Sequence, residues 1–349
     1  MANTNAAKIY KASGAEAVLT ERADLRRYLT GFESSFGYVL SDKNGTVFYT
    51  DPRYIEGATA ALKGSEIAVK LYKGPVTELL KQYKEVAVPL SSTYYNYYKT
   101  LSEAGLKIVD SEPAFKQAMS VKQPYEISAI KVACEIADKS FLSLLSVIRE
   151  GMTENELAAE LEYLMRKSGA SGTSFSTIVA FGENSSVPHH ETGSRKLKFG
   201  DIILIDFGCK YDGYCSDCTR TFLFGDDKKH QTFKNTYQHV LNAHMLVKER
   251  VTENTLGSEA DGIARNYLKE HGLDKFFTHS LGHGIGINVH ESPYLSTKSQ
   301  DVLKNGMVFS DEPGVYFSGD FGIRIEDTIT LQNGRVVSLT DSDKKLLIL

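Results

Sequence analysis

The sequence predicts an α+β protein in two parts: a smaller α/β domain over residues 1–118 and a larger domain over 119–349. Three observations carry this. Short strand-like runs alternate with helix-period segments over the first 115 residues. A long amphipathic segment at 115–151 opens the second part. From 175 onward strands dominate, with two helices among them at about 230–250 and 257–271.

In the first part, EAVLT (16–20) and GYVLSDKNGTVFYT (37–50) read as strands. The second holds Asn44-Gly45 between alternating apolar residues, a two-residue hairpin signal. RYIEGATAALKG (53–64), PVTELLKQYKE (75–85) and STYYNYYKTLSEAG (92–105) have helical character. IAVKLY (67–72), EVAVPL (85–90) and LKIVD (106–110) are strand-like runs between them. The tyrosine run at 93–98 reads as helix core plus surface tyrosine, with an interface patch as the alternative.

The boundary falls within 116–124. Pro124 suits a helix start, and Ile127, Ile130, Ala133, Ala137, Phe141, Leu144 and Ile148 follow a 3–4 spacing. TENELAAELEYLMRKSG (153–169) is a second helix, with Thr153 and Glu156 as a capping box and Gly169 at its end. Each half of 120–349 runs helix first, then a strand hairpin bearing carboxylates, which suggests an internal duplication.

At 349 residues, 42% hydrophobic and 24% charged, the chain has the composition of an ordinary globular protein. A net charge of -4 argues against nucleic acid as a partner. No apolar run approaches the ~20 residues of a membrane span, and MANTNAAKIYKASG has no signal-like apolar stretch. The expected location is cytoplasmic, with no membrane partner.

DFGCKYDGYCSDCTRTF (206–222) holds three of the four cysteines, with Cys215 and Cys218 in a C-x-x-C. DIILIDFG (201–208) and GYCSDCTRTFLFG (213–225) read as strands joined at an Asp212-Gly213 turn. Strand side chains alternate between faces, so Cys215 and Cys218 point opposite ways and do not chelate one metal. The same turn places Asp206 opposite Thr219. It puts Asp206 and Asp217 on one face as diagonal neighbours, about 7–8 Å apart at the backbone. Two carboxylates that close suit cations. Cys215 shares that face and is expected to line the cleft.

LGHGIGINVHES (281–292) sets His283 and His290 among glycines, on a ribbon that is not helical. GMVFSDEPGVYF (306–317) and FGIRIEDTITL (321–331) read as strands joined by SGD (318–320). A turn centred on Gly319 sets Glu312 directly opposite Glu326, and opposed like charges destabilise a sheet. A cation resolves this conflict too. The candidate ligands are thus Asp206, Asp217, His283, Glu312 and Glu326. Oxygen-rich ligation with one imidazole suits Mn²⁺, Fe²⁺ or Co²⁺ better than structural zinc. Four carboxylates balance two divalent ions, which makes a two-metal hydrolytic site.

D-x10-D across a hairpin, then GHGIG, EPG and RIED, in that order, resembles the metallopeptidases of the pita-bread fold. That family includes methionine aminopeptidase, Xaa-Pro aminopeptidase and Xaa-Pro dipeptidase (prolidase). The resemblance covers about 120–349, and residues 1–115 resemble the N-terminal α/β domain of the proline-specific, creatinase-like branch. It implies two divalent ions, Mn²⁺ first and Co²⁺, Fe²⁺ or Zn²⁺ as alternatives. Asp206 would bind one ion, Asp217 and Glu326 bridge both, and His283 and Glu312 complete the other. It further implies that Glu312 is general base and proton shuttle, and that His290 and His189 contact the substrate. Arg324 would orient an acidic ligand. The implied substrates are proline-containing peptides or dipeptides, and the implied assembly is a homodimer.

Within the family, residues 1–115 argue against methionine aminopeptidase. Some prolidases carry an arginine four residues after the second histidine, to capture the substrate's carboxylate. That position here is Tyr294. The expectation is therefore a Xaa-Pro aminopeptidase, with Xaa-Pro dipeptidase as the alternative. A metal-free binding or creatine-hydrolysing member is the remote third reading, and the presence of all five ligands opposes it.

Overall fold

Six strands form the N-terminal sheet, in the order Ile67–Leu71, Gly45–Thr50, Tyr38–Asp42, Ala17–Thr20, Glu85–Val88, Lys107–Asp110. Only Tyr38–Asp42 runs against its neighbours. The computed structural model describes residues 3–226 and 230–349. The chain divides into two units, Met1–Met119 and Ser120–Leu349.

In the first unit the helices over 53–105 are shorter than their sequence windows: Ile55–Ala61, Val76–Leu80 and Tyr95–Glu103. Two further helices, Asn3–Ser13 and Ala23–Thr30, lie where the sequence suggests no element. Ala23–Thr30 hides its pattern because Arg26 is buried beside Leu25, Tyr28 and Leu29. That guanidinium is solvated from within, donating to Ser34 Oγ and Gly37 O at 3.3 Å each. The hairpin turn sits one residue earlier than Asn44-Gly45, since Asp42 pairs with Gly45. Asp42 itself accepts from Asn44 N at 2.8 Å and so closes the turn. In the tyrosine run, Tyr94, Tyr95 and Tyr98 are exposed, while Tyr97 packs on the unit's core.

In the second unit the amphipathic segment becomes one helix, Pro124–Leu145. A separate helix, Glu112–Ser120, comes before it. Pro124 restricts Gln123 to an extended conformation, and Gln123 forms a capping box with Glu126. This helix and Glu154–Lys167 cover the sheet Cys218–Phe224, Asp201–Phe207, Ile178–Phe181. Gln231–Arg250 and Gly257–Glu270 cover the five-stranded sheet that begins at Glu291–Leu295 and ends at Arg335–Ser338. Each sheet thus has its own pair of helices and its own core.

The hairpin registers match the sequence reading: Tyr211 pairs with Tyr214, and Asp206 with Thr219. Asp212 and Gly213 both take positive φ, 44° and 75°, as a tight hairpin turn needs. The strands do not run straight, however. They break at Gly208 and at Ser216-Asp217, where a Cβ on Gly208 would stand 2.0 Å from Ser216 O. In the second hairpin Asp311 pairs with Asp327 and Gly314 with Arg324, while the ladder opens at Glu312-Pro313 and Ile325 between them. Glu326 instead bridges to Thr219 of the other sheet. The acids lie at strand interruptions, where two sheets meet.

Candidate metal centre

All eight residues singled out from the sequence line one cavity of about 470 Å³: Asp206, Asp217, His283, Glu312, Glu326, His189, His290 and Arg324. Asp217 and Glu326 are 4% and 2% exposed, too buried to carry charge without partners. Ligand atoms of Asp217, His283 and Glu326 lie within 4.8 Å of one another.

The bonds around these groups show what is satisfied. Asp206 Oδ2 accepts from Arg324 Nη2 at 2.7 Å, while Asp206 Oδ1 is buried with no hydrogen-bond partner. Glu326 Oε2 accepts from Thr219 Oγ1 at 2.6 Å, and Glu312 Oε1 from Ser310 Oγ at 3.1 Å. His283 Nδ1 lies 3.2 Å from Gly284 O, and a carbonyl only accepts, so Nδ1 carries the proton. The lone pair on Nε2 then faces Glu312 Oε1 at 3.4 Å and Asp217 Oδ2 at 3.7 Å. A lone pair against two carboxylates is repulsive unless a cation stands between them.

Titration follows the same crowding. Burial, then Glu326 and Asp206, hold Asp217 well above the carboxylate range. Burial, then Glu312 and Asp206, do the same to Glu326. Burial pushes Glu312 up to about 8. Burial, with His290 beside it, brings His283 down to about 4, so the imidazole is neutral. Among the described residues lining the cavity, Arg324 is the one permanent cation. Four carboxylates, one neutral imidazole and an orphaned carboxylate oxygen fit divalent cations of the oxygen-preferring kind.

Two residues the sequence reading passes over complete the site. His279 lines the cavity, and Tyr316 stands behind it. His279 Nδ1 donates to Ser280 O at 2.8 Å, so its Nε2 accepts from the Tyr316 hydroxyl at 2.9 Å. Tyr316 in turn accepts from Arg324 Nη1 at 2.7 Å. This chain leaves Nη2 of Arg324 aimed at Asp206. Burial, then Arg324, bring His279 down to about 3, which keeps it neutral. Its signal in the sequence is its place in THSLGHG, four residues before His283.

The neighbouring histidines divide. His190 Nε2 is held by the fully buried Glu154 at 2.9 Å. His189 is exposed on the cavity wall, as is His290. The His290 ring centroid is 4.1 Å from that of His283. Cys215 is not a cleft residue, against the sequence expectation. It is fully buried, its thiol directed at Ile287 O at 3.3 Å, and burial pushes the thiol up to about 11. The break at Ser216-Asp217 removes the parity that would have placed it beside Asp217.

Known proteins resemble this chain in sequence and fold. Residues 128–333 match the model of metallopeptidase family M24, and residues 4–118 that of the creatinase/prolidase N-terminal domain. A Xaa-Pro dipeptidase of Pyrococcus furiosus is 34% identical over 314 residues, 89% of each chain. A Xaa-Pro dipeptidase from Bacillus anthracis superposes with a TM-score of 0.95 at 33% identity, covering 100% of both chains. An X-Pro aminopeptidase from Thermotoga maritima superposes at 0.90 with 34% identity, covering 98% of this chain and 99% of its own.

Proposed function

This chain belongs to metallopeptidase family M24, with its pita-bread fold and metallo-exopeptidase chemistry, and we propose that it removes the first residue from peptides with proline second. Asp206, Asp217, His283, Glu312 and Glu326 would hold two divalent ions, Mn²⁺ first. When bound, such ions supply Lewis acidity that activates water and polarises a carbonyl. His290 and His189, exposed on the cavity wall, would donate to the oxygen on which charge develops. Glu312, its Oε1 steadied by Ser310, would carry the proton to the leaving nitrogen. The apolar side of the cavity, with Phe175, Ile178 and Val289, gives the pyrrolidine ring a surface to pack against.

The observation that carries the aminopeptidase reading is the state of Arg324. A dipeptidase must recognise the carboxylate directly after proline. The one permanent cation among the described lining residues is already committed to Asp206, Tyr316 and Pro188 O. Tyr294 stands in the lining, 46% exposed, where a free cation would serve that purpose. Peptides that continue past proline need no such cation. The second reading, Xaa-Pro dipeptidase, draws support from the relatives that bear that name. Xaa-Pro dipeptides and Xaa-Pro tripeptides, compared under Mn²⁺ and Co²⁺, decide between them. The proposal expects a kcat/KM at least about tenfold higher for tripeptides, roughly what one charge-assisted hydrogen bond contributes. A preference for dipeptides overturns it.

A further inference from the structure

We propose that Lys122 is a positioning residue for His290, acting through a buried ion pair with Glu291. The inference rests on the reading of His290 as a substrate-contacting group.

The loop between His283 and His290 is built around a carboxylate. The strands Gly282–Gly284 and Glu291–Leu295 flank it, and their register shifts at His283/Gly284. The Glu291 side chain, 6% exposed, folds back into the loop. Its Oε1 accepts from Asn288 N at 2.9 Å. Its Oε2 lies against Gly286, where a Cβ would come within 2.4 Å. Only glycine admits the carboxylate there. The loop's other side is fastened by Cys215 N, which donates to Gly286 O at 2.8 Å. The backbone carrying His290 is thus set by where the Glu291 carboxylate sits.

Lys122 decides that. Its Nζ is 3.1 Å from Glu291 Oε2, and its side chain is 1% exposed. The lysine is itself fixed: its backbone N donates to Gly306 O at 2.9 Å, and Val121 bridges Met307. Just after it, Gln123 starts the long helix, and Glu126 of that helix accepts from Tyr214 OH at 3.1 Å. A carboxylate this buried stays only while a cation balances it. Without Lys122 it would turn to water. That move releases Asn288 and shifts His290, one residue away. Lys122 touches neither the cavity nor the candidate metal ligands, so its removal should alter the loop and spare metal loading.

The experiment compares Lys122→Met, Lys122→Met/Glu291→Gln and His290→Ala with the wild-type protein, all loaded with Mn²⁺. Lys122→Met is expected to lose about a hundredfold in kcat, the scale of an ångström-sized misplacement, with KM within about threefold and metal content unchanged. Glu291→Gln in that background keeps the acceptor for Asn288 N and needs no cation, so kcat should recover to within about fivefold of wild type. If Lys122→Met fails to fold, the double variant must still fold and turn over. The inference is overturned if Lys122→Met has wild-type kcat, or if the double variant is as impaired as the single or does not fold. His290→Ala separates the two levels: full activity in that variant sinks the reading of His290 itself.

Discussion

Asp206 gives one carboxylate oxygen to Arg324, at 2.7 Å, and keeps the other buried without a hydrogen-bond partner. The guanidinium fixes the rotamer and leaves the second oxygen without a donor. Arg324 is itself held by Tyr316 and, beyond it, by His279. A ligand oriented this way should bind metal more tightly than a free carboxylate. Arg324→Lys keeps the charge but loses the fork. Calorimetric titration of Mn²⁺ into the metal-free variant should show affinity reduced about 10–100-fold. Unchanged affinity would mean that Arg324 does not orient Asp206 for metal.

Cys215 gives a prediction opposite to the one its place in the sequence suggests. The thiol is buried and raised to about 11, so little thiolate forms at neutral pH. Iodoacetamide at pH 8 should leave Cys215 unmodified in the folded protein and modify it after denaturation, as read by peptide mass spectrometry. Rapid labelling of the native protein contradicts the structure.

A third prediction concerns the charges behind the site. His244, fully buried, lies 3.0 Å from Asp311 Oδ2 and 3.3 Å from Asp327 Oδ2. Burial opposes its charge, but Asp311 and then Asp327 outweigh it and raise the imidazole to about 9. Its unfolded value is near 6.5, so the folded state holds the proton more tightly. This stabilisation, on the order of 3 kcal/mol at most, is fully present below pH ~6.5 and lost as pH rises through about 9. The melting-temperature gap between wild type and His244→Gln, both metal-free, should shrink from pH 6 to 9.5. A gap that stays constant or widens rules out the protonated imidazole.

Substrate length should respond to Tyr294. Its backbone N donates to Asp301 Oδ2 at 2.7 Å, which anchors the main chain whatever the side chain. Tyr294→Arg places a free guanidinium in the cavity lining. The ratio of dipeptide to tripeptide kcat/KM should rise about tenfold. An unchanged ratio means that this position does not meet the residue after proline.

Much of the site is legible in the sequence because hairpins obey simple rules. Asp212-Gly213 and the turn around Gly319 set two registers, and those registers bring Asp206 near Asp217 and Glu312 near Glu326. What the rules miss is where a strand breaks. Parity runs through Ser216-Asp217 on paper, but the chain leaves one sheet there and joins another, so Cys215 goes inward while Asp217 reaches the cavity. His279 and Tyr316 escape notice because their role depends on His279 meeting a hairpin that begins more than thirty residues further along, where Tyr316 and Arg324 face each other. Lys122 and Glu291 are 169 residues apart and carry no local pattern. Among the early helices, Ala23–Thr30 is hidden by a buried arginine whose partners come from the following loop.

The central claim is that Asp206, Asp217, His283, Glu312 and Glu326 hold the metal on which Xaa-Pro hydrolysis depends. Its most direct test is metal content measured beside turnover of a Xaa-Pro tripeptide, for wild type and Asp217→Ala after loading with Mn²⁺ or Co²⁺. The wild-type protein should retain about two ions per chain and cleave. Asp217→Ala should stay folded, lose at least one ion and show no turnover. A wild-type protein that binds no divalent ion, or an Asp217→Ala variant with full activity, contradicts the account.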